Sequence, residues 1–541
     1  MNKLKEYLFF PLILIIAVLA LYHNVVDNEF SGLDDQIMIE ENWDELTQLD
    51  RAYTAFFDDV YAREKGSYYR PIQVLSYIPD AFFETSPTPS PRVFFYGNIL
   101  LFAINSVLVF LFLSSFNLSA NYRLVFTLLY TIHPALTPGI SWIPGRVDVV
   151  LSIFAIISLW SFIRYLKTQS IWWVLIHLLF FTLGLFNKET SIVIPFISVL
   201  LYIYFSPLFE HYSSFRELFT VKFLREFFQY IFDWLKLNLV LVISWVAITI
   251  IWYILRKIAL HDDLFSFLGI MYQLSLSWID LIVLTGATII PFQLQVYLDI
   301  TFWYILLAIP GSFLFFYLPY RLKTPLRNVV FGYAWFFIFI YPTTLADLVN
   351  YHRLTIPIIG LAFLLSPLDK KNLGKPLLFT LGIIGVFFLY ENIQFQKAFN
   401  TPKDFWENAQ SGSPHDGKAN SGLAWCYHIE HVNDSAMYYY KEAIINDPEL
   451  PNIRISMALL EEEDGNIQQT DSLFLEELKY TRDSSFVHYY LGQILLERGD
   501  TSNALLNLEK GYSVTTYTRN ARQYYDTLDI TVKNQLNLNL N

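Results

Sequence analysis

Two adjacent carboxylates stand just after the first apolar run, in Phe30-Ser31-Gly32-Leu33-Asp34-Asp35. Paired acids at a membrane–water boundary can take the proton from a hydroxyl or hold a divalent cation. An Asp-Asp pair after glycine also suits a turn or a helix N-cap, so the motif alone leaves both uses open. Four further groups punctuate the apolar sequence with charge. They are Tyr68-Tyr69-Arg70-Pro71, the segment His133-Pro134 to Trp142-Ile143-Pro144-Gly145-Arg146-Val147-Asp148, Asn187-Lys188-Glu189-Thr190 and Tyr351-His352-Arg353. Any one of them taken singly suits a side chain snorkelling from a helix end.

The elements that must hold these residues are apolar. The chain has 541 residues, of which 54% are hydrophobic and only 16% charged, against about 25% charged in soluble proteins. Its 37 Lys/Arg against 49 Asp/Glu is the wrong balance for gripping nucleic-acid phosphates. The one cysteine, Cys426, excludes an internal disulfide framework and a cysteine zinc site. Neither a phosphate-cradling G-x-x-x-x-G-K-[ST] loop nor an HExxH zinc motif occurs.

Apolar runs lie at 7–22, 93–115, 123–141, 149–166, 171–186, 190–206, 238–258, 270–290, 301–319, 327–345, 353–367 and 376–391. The first follows Lys3 and Lys5 without a small-residue cleavage site and reads as a retained anchor. The aromatic-rich 223–232 stretch reads as an interfacial helix. Basic loops around Arg123, Arg164/Lys167, 216–236, 321–327 and 370–375 mark the cytoplasmic side. Residues 24–92 hold 14 acids and 5 bases, and 259–300 has four Asp and no Lys or Arg. Both ends of the 270–290 run therefore look non-cytoplasmic, and the run is expected not to span. About eleven helices then cross.

In that topology Arg70, Arg146, Lys188 and Arg353 gather on the non-cytoplasmic face, against the positive-inside trend. They become candidates to neutralise an anion, for which a lipid-linked phosphate or pyrophosphate is the natural choice at that depth. Acids beside cations suit attack by a hydroxyl on a sugar carried by a lipid phosphate. The acid takes the proton and the cations stabilise the departing phosphate.

Composition shifts near residue 401. Beyond it stand 11 Lys/Arg against 21 Asp/Glu, while the first 400 residues are close to neutral. The tail carries a 34-residue period: Leu423-Ala424, Ala436, Tyr440 and Ala443; then Met457-Ala458 and Phe474; then Leu491-Gly492, Ala504 and Leu508. Small residues where paired helices touch, at this period, form the tetratricopeptide (TPR) pattern. Thr470 and Glu477 stand where the middle copy should carry alanine. The fold expected is all-α: a polytopic membrane bundle over 1–400, with 24–92 as its first extracytoplasmic loop, and a TPR α-solenoid over 401–541 with repeats starting near 417, 451 and 485.

The ordered set Phe30-x-x-x-Asp34-Asp35, Tyr69-Arg70-Pro71, His133-Pro134, Trp142-Ile143-x-Gly145-Arg146-x-Asp148, Lys188-Glu189-Thr190 and Arg353, followed by repeats, resembles the transmembrane and TPR-containing protein O-mannosyltransferases of the GT-C superfamily. The resemblance covers nearly the whole chain. It implies an inverting transferase that moves a sugar, mannose in the family, from a polyprenyl-phosphate carrier to an exported protein. It makes Asp34 and Asp35 the catalytic pair, with Asp34 the general base. Arg146, Lys188, Arg353 and His352 would contact the donor phosphate, and Arg70, Asp148, Glu189 and His133 would organise the site. A Mg or Mn ion, if used, would sit on Asp34 and Asp35; no soluble cofactor is implied. The chain departs from the family in placing His352 where Glu often precedes the late Arg, and in its short repeat array. The acidic tail points to basic or polar acceptor segments, and the membrane is expected to be a bacterial inner membrane rather than the endoplasmic reticulum. Two other readings stand beside this one: the same chemistry on a lipid or envelope-glycan acceptor, and a non-catalytic membrane scaffold that presents its repeats.

Overall fold

The computed structural model describes residues 5–48, 51–61, 68–212, 214–260, 267–292, 294–296, 302–345, 350–370, 375–481 and 484–511. Among the described residues every regular element is helical. Prolines set many of the starts: Pro71, Pro91, Pro134, Pro138 and Pro402 each open a helix or helical turn, where a missing N–H costs nothing.

Among the described residues six helices are long and apolar enough to cross a membrane: Glu6–Asp27, Pro91–Phe116, Ile143–Thr168, Leu239–Leu260, Tyr304–Leu322 and Pro376–Lys397. Ala120–Thr131 and Pro134–Ser141, bent by 59°, make a seventh if they form one broken span. Ile143–Thr168 is 67% buried and Pro91–Phe116 56%, so these two form the centre. Leu239–Leu260 is only 17% buried and Pro376–Lys397 only 11%. Apolar faces of that size turned outward suit lipid and not water.

These are six or seven of the eleven crossings expected, and the remaining apolar runs form shorter helices for a local reason. Apolar runs are cut short where polar groups break the helix, as at His133-Pro134 and Asn187-Lys188. That leaves Ile171–Asn187, Glu189–Phe205 and Tyr351–Leu364 as shorter apolar helices, and Leu326–Ile340 adds another of 15 residues. The 270–290 run is helical over Phe267–Ile289. Val221–Leu237 follows the short Phe215–Phe219 turn and keeps Leu224, Phe228 and Phe232 exposed.

After Pro402–Gly412 come three helix pairs: Gly417–Ile429 with Asn433–Asn446, Ile453–Glu463 with Ile467–Tyr480, and Ser485–Glu497 with Thr501–Gly511. Their contacts are lined by Ala424, Ala436, Ala443, Ala458 and Ala504, all fully buried. Residues 512–541 of the acidic tail lie outside the described residues. In the middle pair, Glu477 is fully buried; it accepts from Asn452 N–H at 2.7 Å and lies 3.7 Å from the buried Arg454 guanidinium. That ion pair occupies the place of an alanine contact. The first pair is not separate from the membrane body: Phe405, Trp406, Ala409, Ala419, Leu423 and Cys426 belong to the same apolar core as the spans.

The Glu477–Arg454 pair generates a test. Arg454→Met strands a buried carboxylate and is expected to cost about 3–5 kcal/mol. Adding Glu477→Ala should recover most of that loss in thermal melts of the full-length protein. Equal melting of the single and double variants would show that the pair does not couple.

Candidate functional site

Gly32 sits at φ +69°, a left-handed backbone, and a Cβ there would lie 2.8 Å from the Trp425 ring. Glycine is required on both counts. The sharp turn it permits sends the two carboxylates in different directions. Asp35 turns inward and is 1% exposed. It accepts from the Ser31 hydroxyl at 2.6 Å, and from the N–H groups of Ser31 at 2.8 Å, Gln36 at 3.1 Å and Leu33 at 3.4 Å. Burial pushes its carboxyl above the usual range, while the Ser31 hydroxyl and these N–H groups pull it back. Asp35 is the cap of the turn.

Asp34 is only part-buried and lines a cavity of about 510 Å³. It accepts from the Tyr61 hydroxyl at 3.0 Å. Burial, and then the Asp34 carboxylate, push that phenol well above its ordinary range, so it stays a donor. The acidic loop holds Tyr61 in place. Asn42 donates to the carbonyls of Ile37 at 2.7 Å and Tyr61 at 3.3 Å, and Asp59 accepts from the Tyr61 N–H at 3.1 Å. The Trp142 indole, also on the cavity wall, donates to the Ser31 hydroxyl at 3.3 Å and so ties the 133–148 segment to the turn.

His352 and Arg353 line the same cavity. The Lys188 ammonium donates to both oxygens of Asp148, at 2.8 and 2.7 Å, and His352 Nε2 lies 3.4 Å from the same carboxylate. Arg70 grips Glu189 with two N–H donors, at 2.8 and 3.3 Å, while its guanidinium stacks 4.3 Å from the Tyr68 ring centre. Lys188 lies within electrostatic reach of Arg70 and Arg353. Arg353 also donates to the Thr343 carbonyl. Asp34, Arg70, Asp148, Lys188, Glu189, His352 and Arg353 thus form one neighbourhood drawn from segments hundreds of residues apart.

Two of the candidates go elsewhere. Arg146 is fully buried and spends its guanidinium on Asn98 at 2.6 Å, Asp80 at 2.5 Å and the carbonyls of Ser76 at 2.9 Å and Phe94 at 2.6 Å. Nothing of it reaches the cavity wall; it bolts the helix Pro71–Phe83 to the two central spans. His133 accepts the Ala135 N–H at 3.2 Å on Nδ1, which leaves Nε2 to donate to the Thr288 carbonyl at 3.2 Å. Gly145 explains the tight loop before Arg146, because a Cβ there would sit 2.0 Å from the Pro138 carbonyl oxygen.

Several wall residues are not foreshadowed by any sequence motif. Tyr61 is one of several aromatic residues in the acidic loop, and nothing in its spacing sets it apart. Asp416, Lys418 and Asp447 come from the tail, so its first helix pair closes one side of the cavity. As a metal site the Asp34–Asp35 pair fits poorly, since both Asp35 oxygens already accept protein donors. Among the described residues no group of three or more His, Cys, Asp or Glu gathers as a metal cluster. No protein-family model matches the chain, and no curated protein matches it.

If Arg146 is a bolt, Arg146→Ala should prevent monodisperse elution of the purified protein, because it strands Asp80 and two carbonyls at a cost of about 3–5 kcal/mol. Wild-type elution and melting of that variant would contradict the structural role.

Proposed function

We propose that the chain is an integral membrane glycosyltransferase that moves one sugar, mannose by its resemblance, from a polyprenyl-phosphate donor to a hydroxyl of an exported protein. In this reading Ala120–Thr131 with Pro134–Ser141, Ile171–Asn187, Glu189–Phe205, Leu326–Ile340 and Tyr351–Leu364 join the six long helices in an eleven-span GT-C body, the 270–290 run does not cross, and the three tail pairs are tetratricopeptide repeats. Cavity and tail face the non-cytoplasmic side of a bacterial inner membrane. The observation that carries the reading is the cavity itself, where the Asp34 carboxylate shares a wall with His352 and Arg353 in front of the Lys188–Asp148 and Arg70–Glu189 pairs.

The chemistry is a single displacement. The acceptor hydroxyl gives its proton to Asp34, and its oxygen forms a bond to the anomeric carbon. The bond from that carbon to the phosphate oxygen breaks, and its electron pair leaves with the lipid phosphate. Direct attack inverts the anomeric centre. Tyr61, donating to one Asp34 oxygen, fixes the carboxylate so that the other can face the acceptor. Arg353 brings the planar donor fork suited to phosphate oxygens, and the Lys188–Asp148 and Arg70–Glu189 ion pairs supply fixed charge beside it. Asp35 acts through the turn, as a positioning residue.

Loss of a general base costs about 10²–10⁴-fold in rate. Asp34→Asn is therefore expected to reduce sugar transfer from labelled polyprenyl-phosphate donors to membrane-protein acceptors by that factor, with unchanged elution and melting. Tyr61→Phe should lower turnover about tenfold or less, an expectation set by the loss of one hydrogen bond. Wild-type turnover by Asp34→Asn would sink the proposal. Label appearing on lipid or glycan, and not on protein, would move the acceptor class while keeping the chemistry.

A further inference from the structure

A second groove, of about 380 Å³, opens beside the first. One wall is the Gly32–Leu33–Gln36 side of the carboxylate turn; the other comes from the tail, with Ser421, Asn452 and Ser456. Leu33 and Lys418 belong to both cavities, so the groove runs into the Asp34 chamber and ends one residue from the carboxylate. We propose that this groove is the acceptor channel, in which an extended, uncharged, hydroxyl-bearing polypeptide segment lies between the first loop and the tail and delivers its side-chain oxygen to Asp34. The assignment rests on the transferase reading and narrows its substrate.

The lining chemistry selects the occupant. Among the described residues on the groove's walls Lys418 is the one charged side chain; the others are amide, hydroxyl, aromatic and aliphatic. Gln36 and Asn452 offer donors and acceptors of the kind that pair with peptide N–H and C=O groups. Among the described residues of its walls there is no carboxylate to pair with a basic segment, although the tail as a whole is acidic. A carbohydrate would need an open aromatic face. Trp406 and Tyr440 are buried, the Trp406 ring packs on Gly422, where a Cβ would lie 2.1 Å away, and the half-buried Trp425 already sets its ring against Gly32, where a Cβ would lie 2.8 Å away. The contact of Gly32 with Trp425 joins the two walls, so the channel exists only while the tail is docked on the turn.

The test is photo-cross-linking on the full-length protein in lipid nanodiscs. A photoreactive phenylalanine analogue is placed at Ser421 or Ser456, and, as a control outside the groove, at Ile445, which is 70% exposed on the tail. The probe is a biotinylated twelve-residue peptide rich in Ser and Thr and free of charged side chains. Saturable cross-linking is expected at either groove position, competed at least tenfold by unlabelled peptide, with none at Ile445. Equal labelling at Ile445, or none in the groove, overturns the channel, as does displacement by a soluble oligosaccharide and not by peptide. Cross-linking needs no sugar donor, so the two readings fail separately. Groove labelling without transfer from any donor would leave the channel standing and remove the transferase. Transfer with an unchanged KM in Ser456→Trp, without labelling, would do the reverse.

Discussion

Asp148 is a carboxylate at 4% exposure in an apolar bundle, and it stays there because Lys188 and His352 surround it. Taking a charge out of water costs several kcal/mol, and only close, well-directed partners return that cost. Such groups are rare at membrane depth and occur where a pathway or a site needs them. The rest of the architecture follows from this constraint. Lys188 must arrive at a break between Ile171–Asn187 and the next helix, His352 must arrive at the start of Tyr351–Leu354, and Asp148 must sit in the first turn of Arg146–Thr168. Three helix ends are thereby drawn to one point, and through His352 that point reaches the cavity wall.

Arg146 solves a different problem with the same physics. Its four partners come from Pro71–Phe83 and Pro91–Leu113, so one buried guanidinium fixes the angle at which the first loop returns to the central spans. Two residues along the chain, Asp148 faces the polar cluster. A single helix start thus supplies both the bolt and the site. The site is rigid on this side and closed on the other by the tail, which shares the body's core through Trp406 and Cys426.

Much of this is legible in the residues. Charges that interrupt apolar runs mark Arg70, Arg146, Asp148, Lys188, Glu189, His352 and Arg353 and assign them to one side of the membrane; in the structure all of these but Arg146 share one neighbourhood. Prolines and the 34-residue period mark where helices begin. Other features are not legible. Asp34 and Asp35 are chemically identical, and only the left-handed Gly32 and the Ser31 donors decide which one faces the cavity. Arg146 has the same type and position as a phosphate ligand, and only its scattered partners, two of them main-chain carbonyls, reveal it as structural. The docking of the tail was hidden because a shift in charge signals a boundary whether or not the two sides pack. Length is a coarse guide to crossings as well: a polar break such as His133-Pro134 or Asn187-Lys188 divides an apolar stretch into helices shorter than a full span.

The central claim is that this cavity receives a lipid phosphate, and binding tests it without assuming any sugar or acceptor. The wild-type protein in detergent would be titrated with polyprenyl phosphate and, separately, with the uncharged polyprenol, while unfolding is followed by thermal melt. The account predicts a saturable rise in melting temperature with the phosphate, abolished in Arg353→Ala, and little or none with the alcohol. Equal stabilisation by both lipids, or by neither, would contradict it.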